Sequence, residues 1–313
     1  MSNLERQCAT SISTDCPEGS RQPVNQRIAT RDAVLGAGMT IRRALPSRQR
    51  RMIGAWCFLD HFGPVDVSIG EGLRVGPHPH IGLQTVTWPL EGEIVHRDSL
   101  GYAQPIRPGQ LNLMTAGRGI SHSEESPGER PPGLHGAQLW IALPDADRHC
   151  EPAFDHYAEL PVLQREGMAI TVLLGEAFGE RSPGRVFSPL VGLDLIAPGK
   201  AAMMVPLQAE FEYGALVLEG SVLLEGEPLA IGTFLYLGCG RTTLQLRTSA
   251  AARVLLIGGE PFGEEVLLWW NFVARTRAEI ETARADWEAG RGFGEVRGYP
   301  GARLAAPQLP WAA

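Results

Sequence analysis

Two pairs of metal-ligating side chains, His78 with His80 and His122 with Glu124, constrain this chain more than any other feature. Successive side chains of a β-strand alternate between faces, so residues i and i+2 share one. Each pair therefore presents two ligands to the same side, and the two pairs together read as a single four-ligand metal site. A lone His-x-His is commonly just a pair of core or surface histidines. Two such pairs set among turn glycines specify a shared ion. Pro79 would face away from the metal, and because proline cannot donate to a ladder this segment is expected at an edge or a strand start. Continuing the even positions gives Gly82, Gln84, Val86, Trp88 and Leu90. With Met114, the residues Gln84, Val86 and Trp88 are the expected pocket wall, and Thr85 and Thr87 are expected to face outward. A small barrel with a metal near its mouth meets these demands.

The chemistry of the donor set narrows the ion. Three imidazoles and one carboxylate suit Fe(II), Ni(II), Mn(II), Co(II) or Cu(II). No thiolate joins the set, which argues against structural zinc. Neutral imidazoles with one carboxylate would leave a divalent ion one net positive charge and one or two open positions.

Composition supports an all-β reading. The 313 residues hold 37 Gly and 24 Pro, spread along the chain as turns between short strands require. A net charge of −7 argues against direct nucleic-acid binding, and the run Arg48-Gln49-Arg50-Arg51 reads as a solvated loop. The cysteines at 8, 16, 57, 150 and 239 are odd in number and show no zinc spacing, so reduced thiols in a cytoplasmic protein are expected. The sequence shows no signal-peptide h-region and no apolar run long enough for a membrane span.

In chain order, residues 1–26 read as a mobile tail and 27–145 as the metal-binding barrel. Residues 146–163 read as a connector, and 164–313 as a second barrel ending in a helix over 271–289, with Asn271 as its N-cap. His61 is a candidate pocket residue with an equally good structural reading, His96 is a further candidate for which the structural reading is the better one, and Arg97 to Gly101 reads as a loop. His149 and His156 have no partner pattern and are assigned no site. The second half echoes the first: Leu90-Glu91-Gly92 returns as Leu218-Glu219-Gly220, and Pro108-Gly109-Gln110-Leu111 as Ile231-Gly232-Thr233-Phe234. No histidine follows His156, so the second barrel is expected to lack metal ligands. The terminal helix is expected to pack across the other barrel or a sheet back.

Four segments together resemble the pirin family of bicupins: Pro77-His-Pro-His-Ile-Gly-Leu-Gln-Thr-Val-Thr87, Glu93-Ile-Val-His-Arg-Asp-Ser99, Met114-Thr-Ala-Gly-Arg-Gly-Ile-Ser-His-Ser-Glu124 and Trp269-Trp-Asn-Phe-Val-Ala-Arg-Thr276. The resemblance runs from about Arg42 to Trp287. It implies two cupin barrels (double-stranded β-helices) and one metal in the first, held by His78, His80, His122 and Glu124. It favours iron as that metal. It also implies quercetin 2,3-dioxygenase chemistry on a small aromatic or enediol substrate with O₂, in which Glu124 would double as the acceptor of the substrate proton. The alternative it implies is a non-catalytic metal or redox sensor that binds a protein partner, such as a transcription factor or metabolic enzyme. Ile81, Leu83 and Gln84 depart from the Arg, Phe and Glu of many relatives, which alters the expected substrate more than the metal.

Overall fold

The computed structural model describes residues 8–35 and 38–311; residues 1–7 of the expected tail lie outside them. Two barrels follow the expected all-β plan, each closed by a larger and a smaller antiparallel sheet. The first barrel's larger sheet runs Ala153–Tyr157, Leu111–Thr115, Leu83–Glu91, Gly133–Ala142, Trp56–Asp66, Met39–Leu45, Arg31–Leu35. Its smaller sheet runs Arg74–His80, Ile120–Glu125, Ile94–Asp98, Ala103–Ile106. The second barrel repeats the plan with Ala201–Pro206, Thr243–Thr248, Ser221–Leu224 and Glu227–Ala230 in its smaller sheet.

Burial patterns follow position. Ala201–Pro206 alternates buried and exposed, as a strand with one wet face should. Gly133–Ala142 is buried on both faces beyond its first residue. One face lines the first barrel, and the other meets the second barrel through an apolar layer. That layer is built from Val86, Trp88, Leu139 and Ile141 on one side and Leu216, Phe234, Leu255 and Ile257 on the other. The second barrel's own interior is packed with aliphatic and aromatic side chains from both of its sheets.

The barrels exchange arms. Gln26–Ala29, expected to open the first barrel, pairs instead with Thr233–Gly238 of the second. Part of the expected tail, Ser11–Ile12, pairs with Leu267–Trp269. The expected connector contributes Ala153–Tyr157 to the first barrel and Val162–Arg165 to the second. In the other direction, Leu267–Trp269 and Phe272–Ala274 leave the second barrel and form a strap on the first, where Ile81 bridges Phe272.

The helix spans Arg277–Glu288, six residues later than the expected start, because Thr276 rather than Asn271 is its cap. The Thr276 hydroxyl accepts from Glu279 N, satisfying one of the orphan first-turn donors. Ile280, Ala283 and Trp287 form its buried stripe against the strap, so the helix does pack toward the other barrel.

Candidate metal centre

The smaller sheet of the first barrel positions the cluster. His122 pairs with His78 and Ile120 with His80 across neighbouring antiparallel strands, which puts all four side chains on the inner face. One ring nitrogen from each of His78, His80 and His122 lies within 4.8 Å of the other two, and all three residues are fully buried. The Nε2 atoms of His80 and His122 are 3.1 Å apart.

Hydrogen bonds on the far side of two rings fix which nitrogen faces the centre. His78 Nδ1 donates to the Gly76 carbonyl at 2.8 Å, and His80 Nδ1 donates to the Asn271 carbonyl at 3.0 Å. A carbonyl only accepts, so in both rings the proton sits on Nδ1 and Nε2 keeps its lone pair. Burial lowers the pKa of His78 to about 4 and holds His80 and His122 well below the ordinary histidine range. The rings are therefore neutral, the state a metal ligand needs. His78 Nε2 has no hydrogen-bond partner. Convergent lone pairs in a dry interior repel unless a cation sits among them, so this geometry fits a metal ion.

Glu124 shares the inner face of its strand with His122 but lies outside the 4.8 Å group. A β-bulge between His122 and Glu124 shifts the register against Arg74–His80. The carboxylate, 1% exposed, is reached by Thr87 Oγ1 at 3.4 Å, and its charge favours a proton on His78.

The expected pocket wall is reversed. Ile81 and Gly82 break the strand after His80, and Leu83–Glu91 begins in the opposite phase. Gly82 has φ +68, and a Cβ there would meet the Val273 carbonyl oxygen at 2.1 Å, so only glycine makes this turn under the strap. Val86 and Trp88 consequently point into the layer between the barrels, and the Trp88 indole donates to Asp194 of the second barrel at 3.0 Å. Gln84 Nε2 donates to Thr115 Oγ1 and to the Arg185 carbonyl. Thr87, expected outside, is the residue that meets Glu124. Of the expected wall, only Met114 lies on the cluster side, packed with Phe58, Leu83, Ile120 and Trp140. Trp140 stands edge-on to His80 at 5.2 Å.

Several interior groups were not legible as site residues. Thr87 Oγ1 contacts Gln138 Oε1 at 3.0 Å, and the strand register puts Asn112 opposite Thr87. Trp140 Nε1, Gln138 Nε2 and Asn112 Nδ2 are buried donors without a hydrogen-bond partner. His156 contacts Asn112 Oδ1 at 2.7 Å. Asp98 belongs to the strand Ile94–Asp98 rather than to the expected loop. Its Oδ2 lies 3.0 Å from His96 Nε2, and His96 Nδ1 lies 3.2 Å from His122 Nδ1. The signal was present in the sequence, since His96 and Asp98 form a third i, i+2 pair. His61 lies elsewhere, against His135 with 2.7 Å between Nε2 atoms, on the side facing the second barrel. A cleft of about 350 Å³ runs past Ile81, Gly82, Gly117, Arg118 and Phe293, beside the turns that carry His80 and His122, and His149 stands at its rim. No helix is long and apolar enough to cross a membrane among the described residues.

Comparison with known proteins agrees with this fold. Residues 38–141 match the Pirin family model, and 192–294 match that of the Pirin C-terminal cupin domain. A Pseudomonas aeruginosa protein provisionally named a quercetin 2,3-dioxygenase is 52% identical over 313 residues, covering 99% of this chain and 98% of that one. A pirin-like protein of Caulobacter vibrioides is 40% identical over 260 residues, covering 80% of this chain and 88% of its own. The crystal structure of a quercetin 2,3-dioxygenase from Acinetobacter baumannii superposes with a TM-score of 0.89 at 52% identity, covering 92% of this chain and 97% of that one. A barrel with three converging imidazoles, an aliphatic second barrel and relatives matched along nearly the whole length leave one assignment: the chain belongs to the pirin family of bicupins.

Proposed function

We propose that this protein is a metal-dependent dioxygenase of the quercetin 2,3-dioxygenase type, with iron as its metal and a flavonol or similar enediol as substrate. The observation that carries this reading is the convergence of three neutral, fully buried imidazoles inside the first barrel, beside the apolar side chains of Phe58, Met114 and Trp140. The names of the P. aeruginosa and A. baumannii relatives supply the reaction class.

His78, His80 and His122 would hold the metal through Nε2, and Glu124 would complete the set. A divalent ion there would supply Lewis acidity and an open position for oxygen ligands. The rest of the chemistry falls to the chain's own groups. Glu124 is the carboxylate closest to hand for a proton leaving the substrate hydroxyl. Thr87 holds that carboxylate from behind. The unpaired amide hydrogens of Gln138 and Asn112 and the indole N–H of Trp140 are donors for substrate oxygens. Phe58, Met114 and Trp140 exclude water and offer flat apolar surface to an aromatic ring.

The test is O₂ uptake together with loss of quercetin absorbance by iron-loaded protein, beside His80→Ala and His122→Ala variants analysed for metal. Turnover that disappears with the metal in both variants supports the reading. Full metal occupancy in both defeats the ligand assignment, and no turnover across a broad flavonoid and enediol panel defeats the enzyme. A second reading, a metal sensor that regulates a protein partner, is favoured by the complete burial of the cluster beneath the strap. Metal-dependent or redox-dependent capture of a partner would support it.

A further inference from the structure

We propose that Asp98 and His96 form a positioning relay that decides which nitrogen of His122 faces the centre. The inference rests on the metal reading for its consequence, but its geometry stands apart from it. Carbonyls fix the tautomers of His78 and His80. His122 has no carbonyl behind it. Its Nδ1 faces His96 Nδ1 at 3.2 Å, and its Nε2 faces His80 Nε2 at 3.1 Å. Either nitrogen could carry the proton, and only one choice leaves a ligand atom pointing inward.

The carboxylate settles the choice. Asp98 is 1% exposed, and its Oδ1 accepts from Leu100 N at 2.9 Å and Tyr102 N at 3.1 Å. Its Oδ2 is thereby aimed at His96 Nε2, 3.0 Å away. A carboxylate accepts, so His96 Nε2 carries the proton. When His96 is a neutral imidazole, its Nδ1 is then an acceptor. His122 Nδ1 must donate to it, and His122 Nε2 is left with its lone pair toward the cluster. The His96 ring cannot swing out of this line easily, because it is stacked on Phe154 at 4.2 Å with 7° between the planes. Orientation of a ligating histidine by a group on its outer nitrogen is a general device. Here it acts through a second histidine.

The isosteric change Asp98→Asn tests the direction of the chain. The two backbone N–H groups hold the amide oxygen where Oδ1 was, so the new NH₂ takes the place of Oδ2. It can only donate to His96 Nε2. His96 then carries its proton on Nδ1 and donates to His122 Nδ1, which forces a hydrogen onto His122 Nε2 against the metal. The first readout is ¹⁵N chemical shifts of the imidazoles in metal-free protein. His122 is expected protonated at Nδ1 in the parent and at Nε2 in Asp98→Asn. The second is Co(II) affinity by chelator competition, with the visible Co(II) spectrum. A loss of about 10–100-fold is expected in Asp98→Asn. In His96→Asn the amide oxygen falls where Nδ1 was and can accept from His122 directly. Affinity should stay within about threefold of the parent there, and adding Asp98→Asn should change nothing further.

An unchanged His122 tautomer in Asp98→Asn overturns the relay, as does an equal Asp98→Asn loss in the His96→Asn background. Should Asp98→Asn fail to fold, His96→Leu against His96→Asn takes its place. Loss of Co(II) only with Leu supports the relay, and equal affinity overturns it. A parent that binds no Co(II) at all defeats the metal reading, while the tautomer measurement still judges the relay.

Discussion

The two barrels share a frame and differ in a handful of inward positions. In the first, His78 faces His122 and His80 faces Ile120 across adjacent strands. In the second, at the same places in its smaller sheet, Met203 faces Leu246 and Val205 faces Leu244. All eight side chains are buried. The strands and their order do not distinguish a barrel whose side chains could hold a metal from one packed with apolar groups. Three imidazoles in place of three aliphatic groups do. Fold stability and site chemistry are therefore separable here, and the separation can be attacked directly.

The largest effect should come from making the first barrel resemble the second. The triple change His78→Met, His80→Val, His122→Leu is expected to abolish metal binding by elemental analysis, leave the circular dichroism spectrum intact and cost no thermal stability in chelator. Loss of the fold would mean that the imidazoles hold the barrel together and that the comparison is mistaken. Next, Leu246→Ala should destabilise by about 2–5 kcal/mol through its cavity, read by urea denaturation, with metal content unchanged. A metal loss there would show that the second barrel props the first more closely than the shared frame implies.

The seam between the barrels gives the third prediction. Burial lowers the pKa of His61 to about 3 and of His135 to about 4, and His135 Nδ1 lies 3.4 Å from Glu219 of the second barrel. Below the unfolded value near 6.5 the unfolded chain takes up protons that these native rings refuse, so stability falls as pH drops toward 4. The double change His61→Gln, His135→Gln should flatten that fall by about 1–3 kcal/mol per pH unit, measured by denaturant titration between pH 6.5 and 4. An unchanged slope would remove the pair from the seam's energetics. Smallest of all, Trp88→Phe should cost about 1 kcal/mol for its hydrogen bond to Asp194 and leave metal affinity untouched. A changed affinity would return Trp88 to the site.

Much of this was legible because period-two alternation is a strong signal. It put His78 and His80 on one face, where His122 joins them, while Glu124, expected as the fourth ligand, lies outside that group; the second half, without histidines, packs an apolar interior. The reading failed where one turn resets the period. Gly82 looks like any loop glycine in the sequence, yet it reverses the faces of Gln84, Val86 and Trp88 and turns Thr87 inward. It failed again where partners come from far along the chain. The Asn271 carbonyl behind His80 and the Phe154 ring beside His96 carry no local mark of their role, and Asn271 read more naturally as a helix cap. His96 and Asp98 were visible as an i, i+2 pair, but the second residue was read into a loop.

The strap bears on how the molecule comes into being. Synthesis runs from the N-terminus and domains tend to fold as they emerge, yet the group that orients His80 belongs to residue 271. The first barrel can assemble its strands early, but its centre stays unfinished until the second barrel has left the ribosome and its C-terminal arm has reached back. Gln26–Ala29 must wait equally for a sheet not yet made. A nascent chain thus passes most of its translation without the carbonyl that fixes the His80 ring, and a centre fit to hold a metal would be one of the last features completed.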